Sequence, residues 1–502
     1  MFTFRGAPRE GFVNKNKFVG PISLAFCAGI SAGSAALDWE VVVSHPVVQD
    51  DQIARLAPSG FSSRGRSEAA DEDVREQFFR IYKPLRDGGM HEYHLSRIAT
   101  ALYYYRPLLA DLLKPTATKT VLEIGSGQGA KALSWASLFG SYIGIDLNPD
   151  DVALGASLLR ERGIGNARII CGKADAVLQQ PERHGIGRID LLILYAVLEH
   201  LTIPERKLIL RLAQDVYLRG GQVMVGESPN RLCRFDQHTW SLSFTDWLPP
   251  ELVVEHMAAS PRDDLKRKVD TSSPERMVES LYRVGRGLSY QEFSCFWDKT
   301  PLESLETLCD GYATELLNYY PFMNDEKDLV RYCQDNQIVV PRLFTRYWIE
   351  GIFSQNAMRT TTSVRYVAPQ EMEVALPRSR RRFWERAARA KAPKTVLNRR
   401  YFELDEITIS SGSSLLIPAE EMTTAPSQVV LLLESYKSSG RIAVEEIRSG
   451  ARSVLDLPRL MRGRLPLWHS RVALPLGSTP GVYRIQPEGD GNQLTCLGAL
   501  LV

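Results

Sequence analysis

No C-x-x-C pair occurs among the seven cysteines of this 502-residue chain, which are Cys27, Cys171, Cys233, Cys295, Cys309, Cys333 and Cys496. An odd, dispersed set excludes both a disulfide framework and zinc-finger spacing, and it points to a reducing compartment. An excess of one charge is also missing. Sixty-one basic residues stand against 59 acidic ones for a net +2, a balance that disfavours a strongly basic nucleic-acid binder. Long membrane-spanning runs are lacking too. The uncharged stretch from Phe18 to Leu37 follows Arg5, Arg9, Lys15 and Lys17 as an export leader would, but Gly20, Pro21, Gly29 and Gly33 break it. It reads as an apolar strand-and-turn segment, so no integral membrane association and a cytoplasmic location are expected. A hydrophobic fraction of 44% and a charged fraction of 24% exclude wholesale disorder and a fibre.

With no internal repeat to organise the chain, period and punctuation divide it. Residues 1–66 end in a Gly/Ser/Arg stretch and have no readable role, and residues 67–118 form a helical lead-in stopped by Lys114-Pro115. From residue 119 to 232, short β-rich runs alternate with helical ones, the pattern of a parallel sheet covered by helices. Strands are expected at Thr120–Ile124, Tyr142–Asp146, Ala167–Cys171, Ile189–Leu194 and Gln222–Glu227. Residues 233–365 lose that rhythm and read as a helical cap or insertion over an acceptor. Residues 366–400 read as a basic linker, since Arg378–Arg400 holds ten Lys/Arg against Glu385 alone. Such a run is a solvated segment or a surface for an anionic partner. Alternating strands in residues 401–502 read as an all-β, sandwich-like module. The fold class expected is therefore α/β, a Rossmann-like doubly wound sheet with a helical cap insertion and a C-terminal all-β module.

The densest chemical signal is Val121-Leu122-Glu123-Ile124-Gly125-Ser126-Gly127-Gln128-Gly129, an apolar strand that passes directly into alternate glycines. Glycine is required where a ligand must approach the backbone closely. A dinucleotide turn would be G-x-G-x-x-G and would hold a pyrophosphate. Here the spacing is G-x-G-x-G behind Glu123, whose carboxylate would repel a pyrophosphate and welcome an ammonium group. Asp146 ends the next strand, 21 residues after Gly125, the separation at which a carboxylate accepts ribose hydroxyls. Asp175 follows the third strand, where it can accept from an adenine amino group. Together the three acids describe a pocket for an amine, a ribose and an adenine without phosphate.

These blocks, with Ile189–Tyr195 and Val197-Leu198-Glu199-His200-Leu201, resemble the class I S-adenosylmethionine-dependent methyltransferases. The likeness is greatest to the branch holding ubiquinone/menaquinone-type and sugar or natural-product enzymes, and it covers about residues 118–232. The resemblance implies S-adenosylmethionine as cofactor. It implies that Gly125, Ser126, Gly127 and Gly129 approach the methionine portion and that Glu123 helps hold its amino group. It further implies that Asp146, with Leu147 beside it, holds the ribose, that Asp175 and Ala176 border the adenine, and that Tyr195 lies near the sulfonium.

Glu199 and His200 sit near a helix start and are read as capping or packing residues. Past the fifth strand, His238 is the candidate general base for an acceptor hydroxyl, with Glu227 and Asp236 as weaker alternatives. No metal is required on this reading. After the fourth strand the Asn/Asp-Pro-Pro-aromatic tetrapeptide of amine-modifying DNA enzymes is absent, and no Pro-Cys dipeptide offers a thiolate; both absences disfavour nucleic acid as substrate. The expected reaction is O-methylation of a sugar, glycan or specialised metabolite. Transfer to nitrogen, carbon or carboxylate of a peptide or natural product, and a catalytically degenerate scaffold, stand as alternatives.

Overall fold

In the computed structural model, which describes residues 68–88, 92–301, 305–312, 324–338 and 340–355 and strands of two further sheets between Arg365 and Leu501, one mixed sheet organises the α/β part. Its strands are Thr120–Ile124 (β1), Ser141–Asp146 (β2), Ala167–Cys171 (β3), Leu191–Tyr195 (β4), Gln222–Pro229 (β5), Thr307–Asp310 (β6) and Trp348–Phe353 (β7). The order across the sheet is β3-β2-β1-β4-β5-β7-β6. The first five strands are parallel, whereas β7 runs antiparallel between β5 and β6. The order reverses at β1, and the crevice at the carboxyl ends of β1 and β4 is where such sheets bind ligands.

Two of the seven strands lie inside the segment read as a helical cap. β6 has only four residues and ends in Asp310, and Glu350 and Gly351 interrupt the apolar run of β7. Neither carries the continuous hydrophobic pattern of a strand buried on both faces. Glu350 is tolerated there because Tyr105 donates its hydroxyl to it.

Side chains alternate across β1 to β5 and feed two cores. Val121, Tyr142, Leu191, Ile193 and Met224 pack on one face against helices of residues 68–112, Ala130–Trp135 and Pro149–Glu161. Leu122, Ile124, Ile143, Leu192, Leu194 and Val223 pack on the other against Ile203–Leu218 and Tyr290–Phe296. Covering both faces explains why these strands read as near-continuous apolar runs. Helix Ile203–Leu218 begins at Thr202, which forms a capping box with Glu205, with Pro204 in the first turn; each device satisfies or dispenses with an otherwise orphaned N–H.

Beyond residue 355 the strands form two antiparallel five-stranded sheets, which are the expected C-terminal β-structure. Arg365–Val367 and Glu373–Ala375 pair into these sheets, so β-pairing begins within the stretch read as the cap's end and a linker. The residues 1–66 and the basic run Arg378–Arg400 lie outside the described residues. Among the described residues no helix is long and apolar enough to cross a membrane.

One buried cation fastens the insertion to the sheet. Arg206 is fully buried and spends all five guanidinium N–H groups. Nε donates to the Leu201 carbonyl at 3.0 Å, and Nη1 to the Gly287 carbonyl at 3.2 Å and to Glu292 at 2.9 Å. Nη2 donates to the carbonyls of Glu199 at 3.2 Å and Arg286 at 2.5 Å. Replacing it strands several buried carbonyls at once. Arg206→Met is expected to cost about 3–5 kcal/mol, read as a lowered urea midpoint; a loss of under about 1 kcal/mol, the range of an exposed pair, would contradict this account.

Candidate active site

The glycine turn that leaves β1 has all three glycines at positive φ: Gly125 at 75°, Gly127 at 50° and Gly129 at 74°. At Gly125 the need is local, because a Cβ would meet Val197 at 2.6 Å. Gly127 differs. A Cβ built there meets nothing within 4 Å, so its missing side chain leaves open space above the turn. Beside it, Ser126 is buried and its hydroxyl has no hydrogen-bond partner among the described residues. Asp146 closes the cradle from the tip of β2. One carboxylate oxygen accepts from the Gly127 N–H at 2.7 Å and the other from the Asn148 N–H at 2.9 Å. Each oxygen retains a lone pair for another donor. Leu147 is 58% exposed beside it, Asp175 lies half-buried in the first turn of Ala174–Gln179, and Ala176 is exposed. An open glycine surface, an unpartnered buried hydroxyl and a strand-end carboxylate fit the amino-acid and ribose parts of S-adenosylmethionine.

Glu123 has partners within the chain. It is wholly buried on the helix-covered face, where Lys131 Nζ lies 3.0 Å from one oxygen and the Tyr142 hydroxyl donates to the other at 2.8 Å. One ammonium group beside this acid is the chain's own. The reason is strand alternation: Glu123 shares the face of Val121 and Tyr142, which lies under helix Ala130–Trp135. Tyr195 shares that face. Its ring is buried, with Lys131 Nζ 4.6 Å from its centroid and Tyr105 edge-on at 5.5 Å. It thus packs in the core beneath the strand tips, next to Glu123's partner.

Burial raises the Glu123 carboxyl above its ordinary range, while Lys131 and Tyr142 pull it down. A carboxyl raised in the fold favours the protonated form, so its penalty is present at high pH and fades as pH falls through the folded value. Lys131→Met removes the main compensation. The variant is expected to lose about 3–5 kcal/mol near neutral pH and less in mildly acidic buffer. Urea melts at pH 8 and pH 5 check the sign, and a loss that grows on acidification would reject it.

A second constellation lies at the neighbouring strand tips. Ala196 after β4 and Glu227 near the end of β5 have φ of 51° and 47°, a left-handed conformation that non-glycine residues adopt at a cost and that concentrates at functional sites. Glu227 is ion-paired to Arg97, so it is committed to the helix Glu92–Thr100. Asp236 accepts from the Thr239 and Trp240 N–H groups at 2.7 and 2.9 Å, and burial with Asp246 nearby pushes it up to about 7. Its geometry shapes the turn that presents His238. The backbone N–H of His238 donates to the Tyr347 hydroxyl at 3.0 Å, and its ring meets Trp348 edge-on at 6.1 Å.

The structure brings Glu199 and His200 to His238. Capping of the helix belongs to Thr202 and Glu205 instead. Nε2 of His200 and Nε2 of His238 each lie 3.8 Å from the same Glu199 oxygen, and that carboxylate is wholly buried. Its other oxygen accepts from Ser228 at 3.4 Å. Burial raises the Glu199 carboxyl, with His200 pulling it down. Burial, aided by the charges of His200, Arg262 and Arg97, pushes the His238 imidazole well below its usual range, leaving it neutral at pH 7. The sequence signal was the acid–histidine pair after β4 and a second histidine after β5; the intervening 37 residues concealed their meeting.

The methyltransferase domain family model matches residues 121–221. Protein-L-isoaspartate O-methyltransferase 2 of Anaeromyxobacter sp. (strain Fw109-5) is 31% identical over 117 residues, covering 23% of this chain and 46% of the relative; the chain thus spans about half the length of that curated relative. Among solved structures, PKMT2 from Rickettsia typhi superposes with a TM-score of 0.33 at 15% identity, over 53% of this chain and 59% of that one. The precorrin 8w decarboxylase of Methanobacterium thermoautotrophicum does so with a TM-score of 0.20 at 24% identity, over 24% and 60%. Residues 121–221 therefore form a class I S-adenosylmethionine-dependent methyltransferase domain.

Proposed function

We propose that the whole chain is an S-adenosylmethionine-dependent methyltransferase that acts on an oxygen of a sugar, glycan or other specialised metabolite. The observation that carries the donor half is the open face of Gly127 beside the Asp146 carboxylate. When bound, the donor supplies an electrophilic methyl group on a sulfonium. Gly125, Ser126, Gly127 and Gly129 would give it a close backbone surface, Asp146 would accept from its ribose, and Asp175 and Ala176 would border the adenine.

The acceptor half rests on the cluster one strand away. His200 and His238 both lie on the carboxyl side of the sheet, and Ser228 and Asn230 fix the β5 end that leads to them. A neutral imidazole with a lone pair on Nε2 can take a hydroxyl proton as the oxygen attacks. The insertion beyond β5, held by Arg206, would shield the acceptor from water and fix its approach. Such chemistry favours an oxygen nucleophile whose proton must be removed.

Isothermal titration with S-adenosylhomocysteine tests the donor site. Wild type should bind, Asp146→Ala should bind at least about tenfold more weakly, and Gly127→Arg should not bind; unimpaired affinity in both variants refutes the pocket. Labelled donor offered with hydroxyl-bearing glycans and metabolites tests the acceptor. Turnover should fall about 10²–10⁴-fold in His238→Ala, and label appearing only on amines or carboxylates would sink the oxygen assignment.

A further inference from the structure

The Glu199–His200–His238 cluster has a property that a lone general base does not need. Both histidines have a fixed tautomer. His200 Nδ1 lies 3.1 Å from the Arg283 carbonyl, which can only accept, so Nδ1 carries the proton and Nε2 the lone pair. His238 Nδ1 lies 2.8 Å from the Thr239 hydroxyl, and that hydroxyl donates its own proton to the Gly285 carbonyl at 3.1 Å. The Thr239 oxygen must therefore accept from His238, which again leaves the lone pair on Nε2. Two imidazole lone pairs thus face one oxygen of a buried carboxylate, and that oxygen has no hydrogen-bond partner among the described residues.

At 3.8 Å these atoms are too far apart to hydrogen-bond with one another. They are close enough to share a cation. One ligand atom from each residue lies within 4.8 Å of the others. A tetrahedral ion with bonds of about 2.0–2.1 Å sets its ligands about 3.4 Å apart, so modest side-chain adjustment closes the gap. Nδ1–H groups tied to a carbonyl and to a hydroxyl are the supports that metal-bound histidines characteristically have. The His200 side chain is 40% exposed, which leaves a route for an ion and an open coordination position on the solvent side. Gly285 supports the packing: a Cβ there would press on the His238 ring at 2.8 Å.

From this we propose that Glu199, His200 and His238 form a binding site for one divalent transition-metal ion, with Zn²⁺ or a metal of similar imidazole preference as its occupant. Two nitrogen donors and one carboxylate oxygen suit such ions better than Mg²⁺ or Ca²⁺, which prefer oxygen. The site does not depend on the methyl-transfer reading. Where transfer occurs, it turns His238 from a free base into a ligand: an acceptor hydroxyl would bind at the ion's open position and release its proton to solvent water on the exposed His200 side, and its oxygen would take the methyl group as S-adenosylhomocysteine leaves.

The test uses the full chain, stripped with chelator and titrated with Co²⁺ and Zn²⁺. One equivalent of Co²⁺ should give the visible bands of a low-coordinate site, and Zn²⁺ should displace it and raise Tm. Glu199→Gln, His200→Ala and His238→Ala should abolish these signals, and Thr239→Val, which changes no proposed ligand but removes the hydroxyl shared by His238 and the Gly285 carbonyl, should weaken binding about tenfold or more. Because His200 is partly exposed, His200→Ala remains informative even if the buried Glu199 variant fails to fold. No saturable binding in wild type, or equal binding in wild type and His200→Ala, overturns the site. Asp146→Ala should lose S-adenosylhomocysteine yet keep the metal, so failure of one site is read separately from failure of the other.

Discussion

The guanidinium of Arg206 is the constraint on which the insertion beyond β5 rests. It lies where the chain leaving β4, the start of helix Ile203–Leu218 and the returning segment 286–292 come together, and it is the shared donor for all three. Without it the carbonyls of Leu201, Arg286 and Gly287 would lose a buried donor, which costs more than the bond itself yields. The same segment then orders the histidines: Arg283 holds His200, Gly285 holds Thr239, and the Arg286 N–H donates to the Glu199 carbonyl at 2.9 Å. A single buried cation thus fixes the chain directly after the carbonyls that hold His200 and Thr239. Removing it would loosen the surroundings of Glu199, His200 and His238.

On the donor side the organising element is different. The turn after β1 is shaped by steric necessity at Gly125, by openness at Gly127 and by the carboxylate of Asp146, which ties the turn to the tip of β2. Beneath it, the Glu123–Lys131–Tyr142 group is a buried charge set. Such groups add little net stability but are costly to break. That set supports the strand tip from below, while the turn itself is backbone tied to Asp146. The two halves of the site are therefore built by different means, one by the absence of side chains and the other by a chain of directed hydrogen bonds.

Much was legible in the sequence because it depends on neighbouring residues. The five parallel strands, the glycine turn and Asp146 follow from apolar runs, punctuation and a spacing of 21 residues. β6 and β7 were not legible, since one is four residues long and the other carries Glu350 in its middle. The pairing of Glu123 with Lys131 and Tyr142 was not legible, because a one-residue alternation decides which face of the sheet a strand-end acid meets. Glu199 and His200 looked like helix-start residues until Thr202 and Glu205 were found to hold that place.

Sequence alone determined the doubly wound sheet and the glycine turn beside Asp146, because both follow from local periodicity and from the spacing of glycines and a strand-end acid. Tertiary structure alone decided which ammonium Glu123 meets, and it alone brought Glu199, His200 and His238 around one point. Those outcomes depend on contacts between segments tens of residues apart, where packing and the pairing of buried polar groups select partners that no spacing rule encodes.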